Sequence, residues 1–264
     1  MKRAFAILFF LVFCQSAQAS SKECVRHFRL GVNNYSPLYE VQSDGTVSGL
    51  THDLLAEVSS RMGCVFSQIP MDSPRMLEDF KRWRLDMVAF LAPLDELKSV
   101  GEYIPLYQAA RKLIVAKASY DKTRKPENYL NDPKVKFGSQ IGPRFFLGDE
   151  EEKKLMGQGR LIAFPNPGTA YKQFVADRIQ AMFSTPIIHS HYQKEIPELT
   201  TKTVAIPDPS HPLTMGFYLS SRRISKSEAD KIRKVIREMK QDGTLRKIVS
   251  RYVDSEDMIY YRNL

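Results

Sequence analysis

Leu50, Leu54, Leu55, Val58 and Met62 recur at helical spacing and Gly63 closes the run, so residues 50–63 read as one amphipathic helix. Ahead of it, Asp44-Gly45 marks a tight turn, because glycine accepts the positive φ that such turns need. Residues 28–39 open with a strand and continue into a loop carrying Tyr35 and Pro37. A second strand covers 65–70. Met76, Leu77, Phe80 and Trp83 mark the next helix, with Trp83 on its apolar face, and 86–90 form a third strand. Such alternation predicts an α/β fold with mainly parallel strands and helices on both faces.

A strand at 113–116 precedes a Lys/Arg/Pro-rich segment, 117–126, and a second α/β unit follows. Its strands are expected at 135–138, 161–164 and 179–184, its helices at 145–156, 170–177 and 186–193. The acidic run at 149–152 reads as the solvated first turn of a helix. The prolines at 207, 209 and 212 exclude regular helix or a central strand, so 206–212 reads as a loop beside a return crossing, with a strand at 213–220. Ala229, Ile232, Val235, Ile236 and Met239 form one last long stripe. After Asp242-Gly243-Thr244, where Gly243 ends a helix and Thr244 caps the next, Leu245, Ile248, Val249 and Tyr252 form a shorter one.

The first nineteen residues follow a different logic. Lys2 and Arg3 precede an unbroken apolar run from Ala4 to Phe13, and Ala17-Gln18-Ala19 matches a small-residue cleavage site. The run is short for a membrane span. Phe13 before Cys14 is bulky where lipidation wants a small residue, which favours simple cleavage. Residues 1–19 are therefore expected to be a cleaved signal peptide. Their loss takes two lysine or arginine residues and no acid, lowering the formal charge from +9 to +7. The basic residues are dispersed, and no aromatic-basic stripe suggests nucleic acid.

Three blocks carry a resemblance: the strand, loop, turn and helix of 28–63, the strand that starts at Asp86, and the tail with Asp242-Gly243-Thr244. In this order behind a leader they resemble the family 3 bacterial extracellular solute-binding proteins, the periplasmic receptors of polar amino-acid ABC importers. The resemblance covers nearly all of the chain beyond the leader. It implies a periplasmic binding protein type II-like fold: two α/β lobes joined by two crossing strands, with the ligand cleft between them. Lobe one would comprise 22–109 plus 213–264, and lobe two 113–208. The function implied is capture of a small molecule by hinge closure in the periplasm, for a membrane ABC permease or a sensor. The receptor would be a monomer that needs no cofactor.

An oxidising compartment favours pairing of the two remaining cysteines, Cys24 and Cys64. Each sits just before one of the first two strands, so both lie at one edge if those strands are neighbours. The alternative is two free buried thiols.

Open α/β sheets bind ligands beyond the carboxyl ends of their strands. Those ends are Asn33, Asn34 and Tyr35; Phe90, Leu91 and Ala92; residues 139–144; and Ser184 and Thr185. Of these, Asn34, Tyr35, Phe90, Leu91, Gly142, Arg144 and Thr185 are expected to contact the ligand. The family holds its ligand carboxylate with an arginine after a run of Ser or Thr. Here that run is apolar, and Lys98 is the best counterpart of the arginine, or Glu96 if the alignment slips. The acid that would meet a ligand ammonium falls near Thr185, which is uncharged. Arg144, just after Gly142 and Pro143 at a helix start, would hold an anion; the alternative is a solvated surface arginine. An anionic ligand is thus expected.

The five histidines lack metal-ligand spacing, and His189 and His191 point to different faces of one helix. No catalytic site is expected. Two other classes stay open: a dehydratase-like enzyme on the same fold, with Glu96 and Lys98 as acid or base, and a receptor-like interaction protein that no longer binds a ligand.

Overall fold

The structure, a computed structural model, describes residue 24 and residues 26–264 except 141–146, with Phe90 and Leu91 described as backbone only. The leader 1–19, Gly142 and Arg144 therefore lie outside the described residues. Strand β1 (His27–Asn33) is followed by the small hairpin β2 (Glu40–Val41) and β3 (Val47–Ser48), helix α1 (Leu50–Met62), β4 (Val65–Met71), α2 (Ser73–Lys81) and β5 (Met87–Leu91). The long strand β6 (Gly101–Ala116) leads to α3 (Pro126–Asn131), β7 (Phe137–Gln140), α4 (Asp149–Gly157), β8 (Leu161–Phe164), α5 (Pro167–Val175), β9 (Ala181–Ser184), α6 (Pro186–Glu195) and α7 (Glu198–Lys202). A second long strand, β10 (Thr203–Ser220), returns, and α8 (Lys226–Gln241), α9 (Thr244–Val249) and β11 (Tyr261–Arg262) complete the chain.

One sheet runs in the order β4-β1-β5-β10-β6-β9-β7-β8, with β11 added to β6. The strands β4, β1 and β5 are mutually parallel, as are β8, β7 and β9. Between these two sets lies the antiparallel pair β10–β6, running from Thr203 opposite Ala116 to Ser220 opposite Gly101 with two shifts of register. The molecule is thus two α/β lobes sharing two crossing strands. In the first, Leu30, Val32 and Met87 meet Leu54, Leu55 and Val58 of α1 and Ile232 and Ile236 of α8 in one buried cluster. In the second, Leu113, Val115, Phe137 and Phe183 enclose Tyr129 and Leu155.

Several sequence expectations hold closely. Gly45 (φ 83°) turns the β2–β3 hairpin, and Gly63 (φ 64°) caps α1 in the left-handed region. The strands of the second lobe fall where their apolar runs lie. The crossing strands differ from expectation. The proline-rich 206–212 is not a free loop, because Pro207 pairs with Lys112 and Asp208 with Arg111 before the register shifts and resumes at Pro212 opposite Ala110. Only 209–211 leave the ladder. Residues 203–208 pair with β6 on one side alone, so the missing proline donors break no bond on the open side.

Three local readings are corrected. Trp83 lies beyond the end of α2 at φ 60°, half-buried, with the Arg222 guanidinium 4.5 Å from its ring centroid, so it does not extend the helix's apolar face. Thr244 is the first residue of α9 rather than its cap. Gly243 occupies the cap position, and the Asp242 carboxylate accepts the Thr244 N–H at 2.9 Å. Glu151 in the acidic run turns back onto Arg111 with contacts of 2.8 and 2.9 Å instead of facing water.

The C-terminal segment crosses from the first lobe to the second. Tyr261 pairs with Ala109 on β6, and its hydroxyl accepts the Ile187 N–H at the start of α6 at 3.3 Å. Asp257 holds the buried Lys112 ammonium at 2.5 and 2.6 Å and accepts Ser190 Oγ at 3.3 Å, and Lys194 pairs with Asp254 at 2.8 Å.

Cys24 and Cys64 form a disulfide with a Cα–Cα distance of 4.8 Å. It closes the parallel β1–β4 pair, which runs from His27 opposite Val65 to Asn33 opposite Met71. A bridge over 40 residues of chain restricts the unfolded ensemble. Reduction is expected to lower unfolding stability by about 2–5 kcal/mol. Urea titration with and without reductant measures this, and coincident curves would refute it.

Candidate functional site

The carboxyl ends of β1, β4, β7 and β8 converge on one cavity of about 490 Å³. Its described lining is Asn33, Asn34 and Tyr35 after β1, Asp72, Ser73 and Pro74 between β4 and α2, Gln140 of β7, and Pro165 and Asn166 between β8 and α5. The first two groups belong to the first lobe and the last two to the second, so the cavity lies between the lobes. Its volume suits a small molecule. A neighbouring crevice along Gln140, Ser184 and Ile188 holds only about 10 Å³, too little for one.

The sequence explains why these residues stand at the rim. Asp72 and Asn166 are N-caps, each followed within two residues by a proline suited to a first helical turn. Asp72 Oδ1 accepts the Arg75 N–H at 2.8 Å, and Asn166 Oδ1 accepts the Thr169 N–H at 2.8 Å. Each cap satisfies one of the donors a helix start leaves open. Behind them, the Ser73 hydroxyl donates to Asn33 Oδ1 at 2.7 Å. Asn33 is 2 % exposed, and its Nδ2 has no hydrogen-bond partner. Burial pushes the Tyr35 hydroxyl far up from its usual range, with Tyr192 adding to the effect, so it stays a neutral phenol. Tyr192 of α6 donates to Ser36 O at 3.3 Å and links the lobes beside the cavity.

Of the strand-end residues named from sequence, Asn33, Asn34, Tyr35 and Gln140 line this cavity. Lys98 does not: its side chain is 73 % exposed and pairs with Asp95 at 2.7 Å. Glu96 pairs with Lys81 instead. Thr185 is buried at the cap position of α6 with Oγ1 unpartnered, and is not part of the described lining. Gly142, Arg144 and the side chains of Phe90 and Leu91 lie outside what is described. Sequence reasoning missed Asp72, Ser73 and Asn166. The signal was present as two cap-and-proline helix starts, each directly after a strand. Among the described residues, no group of three His, Cys, Asp or Glu could hold a metal ion.

Residues 28–255 match the model of the bacterial extracellular solute-binding proteins, family 3. The chain belongs to that family. The histidine-binding periplasmic protein of Escherichia coli (strain K12) is 22 % identical, over 96 % of this chain and 98 % of that protein. An ancestral arginine-binding protein bound to arginine superposes with a TM-score of 0.71 at 21 % identity, over 86 % of this chain and 97 % of the other. An ancestral amino-acid-binding protein described as a precursor of cyclohexadienyl dehydratase gives 0.70 at 20 % identity, over 86 % and 95 %. The fold of these solute-binding relatives is the periplasmic binding protein type II fold, as the sequence resemblance implied.

His189, in α6 beneath the crossing strands, is 2 % exposed, and its Nδ1 lies 3.2 Å from the Tyr171 hydroxyl. Burial, with the Lys112 ammonium nearby, lowers its pKa from 6.5 to about 3. The folded state therefore keeps it neutral where the unfolded chain takes up a proton. Its contribution is fully present above pH 6.5 and is lost as pH falls toward 3. Stability is expected to drop by about 2 kcal/mol between pH 7 and pH 5, and His189→Gln should remove most of that slope. Urea titrations across this range test it; parallel slopes for parent and variant would contradict it.

Proposed function

We propose that this protein is an exported periplasmic receptor that captures one small polar ligand between its lobes and presents it to a membrane ABC permease or a sensor. The observation that carries this reading is the interlobe cavity of about 490 Å³ at the carboxyl ends of four strands. The leader 1–19 supports export with cleavage after Ala19. Lobe one comprises 22–109 plus 213–264 and lobe two 113–208, and the receptor works as a monomer. Closure is a hinge motion about β6 and β10, and ligand shifts the population toward the closed form.

The anionic ligand expected from Arg144 and Lys98 gains no support from the described lining, which offers amides, hydroxyls and one carboxylate. Its helix starts have also given donors to their own caps. A dehydratase-like reading is weaker: Glu96 and Lys98 are each ion-paired at the surface, away from the described lining.

Native mass spectrometry of protein incubated with a small-molecule extract of the producing cells should find one low-mass compound bound one-to-one. Tyr35→Ala should reduce its occupancy roughly tenfold or more while leaving the fold intact, since Tyr35 supplies contact area at the rim. A parent that binds nothing, or a variant that binds equally, would contradict the reading.

A further inference from the structure

We propose that Asp72 is the specificity-determining carboxylate of the cavity and holds a cationic group of the ligand, an ammonium or guanidinium, beside the Asn33 amide. This rests on the reading of the cavity as a ligand cleft. Asp72 is the charged residue of the described lining. One of its oxygens accepts the Arg75 N–H, and the side chain remains exposed. It forms no ion pair among the described residues, and the nearby Arg75 guanidinium turns to Asp79 at 3.9 Å.

The surroundings of Asp72 form a built surface. Ser73 follows it, 5 % exposed, with its hydroxyl committed to Asn33 Oδ1. That bond leaves the other end of the buried Asn33 amide unpartnered in a residue that lines the cavity. A buried amide without a partner is costly unless a ligand or water completes it. The ligand therefore offers a hydrogen-bonding group to Asn33 within reach of the cation at Asp72.

The helix starts at the cavity do not reverse this preference. A free helix start attracts anions. Here Pro74 and Pro167 lack N–H groups, and the N–H groups of Arg75 and Thr169 are held by Asp72 and Asn166. The donors that would welcome an anion are thus reduced, and the Asp72 charge opposes one.

The test is titration calorimetry with defined probes: L-arginine, L-lysine, L-histidine, agmatine and putrescine as cations, L-glutamine as a neutral probe, and L-glutamate and succinate as anions. Asp72→Asn is the informative variant, because asparagine still caps α2 and the fold is kept. The expected result is binding of a cationic probe to the parent, weakened roughly ten- to hundredfold in Asp72→Asn and also weakened in Tyr35→Ala. A probe that binds parent and Asp72→Asn equally but fails with Tyr35→Ala overturns the role of Asp72 and leaves the cleft reading standing. A probe insensitive to both variants overturns both. Binding of an anionic probe alone, or of no cationic probe, overturns the proposal.

Discussion

The antiparallel pairing of β6 with β10 is the constraint on which the rest of the structure depends. The two strands belong to both lobes at once, and every other strand of the sheet lies to one side of them or the other. Gly216, opposite Pro105, permits their close approach, since a Cβ there would stand 2.3 Å from Ile104 O. Because the ladder continues from Gly101 to Ala116, the lobes are tied by backbone hydrogen bonds rather than by a flexible linker. The proposed closure would bend this pair, whose register shifts between Asp208 and Pro212 and again between Met215 and Gly216.

Ion pairs reinforce the crossing on both of its faces. Successive residues of a strand point to opposite sides. Arg111 meets Asp208 at 2.8 Å and Glu151 at 2.8 Å, and its guanidinium lies 3.9 Å from the Phe183 ring centroid. The next residue, Lys112, meets Asp257 of the C-terminal segment. Burial alone would raise the pKa of Glu151 and Asp208. Hydrogen bonds from Arg111 and Gly148 to Glu151, and from Ser210, Arg111 and His211 to Asp208, lower both. Both acids remain charged at neutral pH. Buried pairs of this kind add little net stability, but breaking one leaves an uncompensated charge. The pairing of Arg111 on β6 with Asp208 opposite it on β10 fits a role in fixing register, and Asp257 of the C-terminal segment adds a further tie to β6.

Local signals were legible where one residue type decides the geometry. Gly45 and Gly63 had to accept positive φ, the stripe of α8 had one apolar face, and the cysteines stood at the starts of adjacent strands. The second-lobe strands were legible as short apolar runs. The crossing strands were legible only at 113–116 and 213–220, because Pro207, Pro209 and Pro212 read as breakers, and only an open-edge or irregular setting makes such prolines tolerable. Trp83 misled because an apolar residue at helical spacing can lie past the helix end. Glu151 misled because its partner, Arg111, is 40 residues away in sequence. Of the cleft, Asn33, Asn34 and Tyr35 were legible as the end of β1. The contribution of Asp72 and Asn166 was hidden in residues that also serve as caps, a local role that conceals their position on a shared cavity.

The proposed working of the protein is closure of the lobes on a ligand by bending one shared pair of strands. Small-angle scattering of the leader-free protein, before and after saturation with its ligand, tests this most directly. A smaller radius of gyration at saturation is the predicted result. An unchanged radius at full occupancy would rule out closure of this kind.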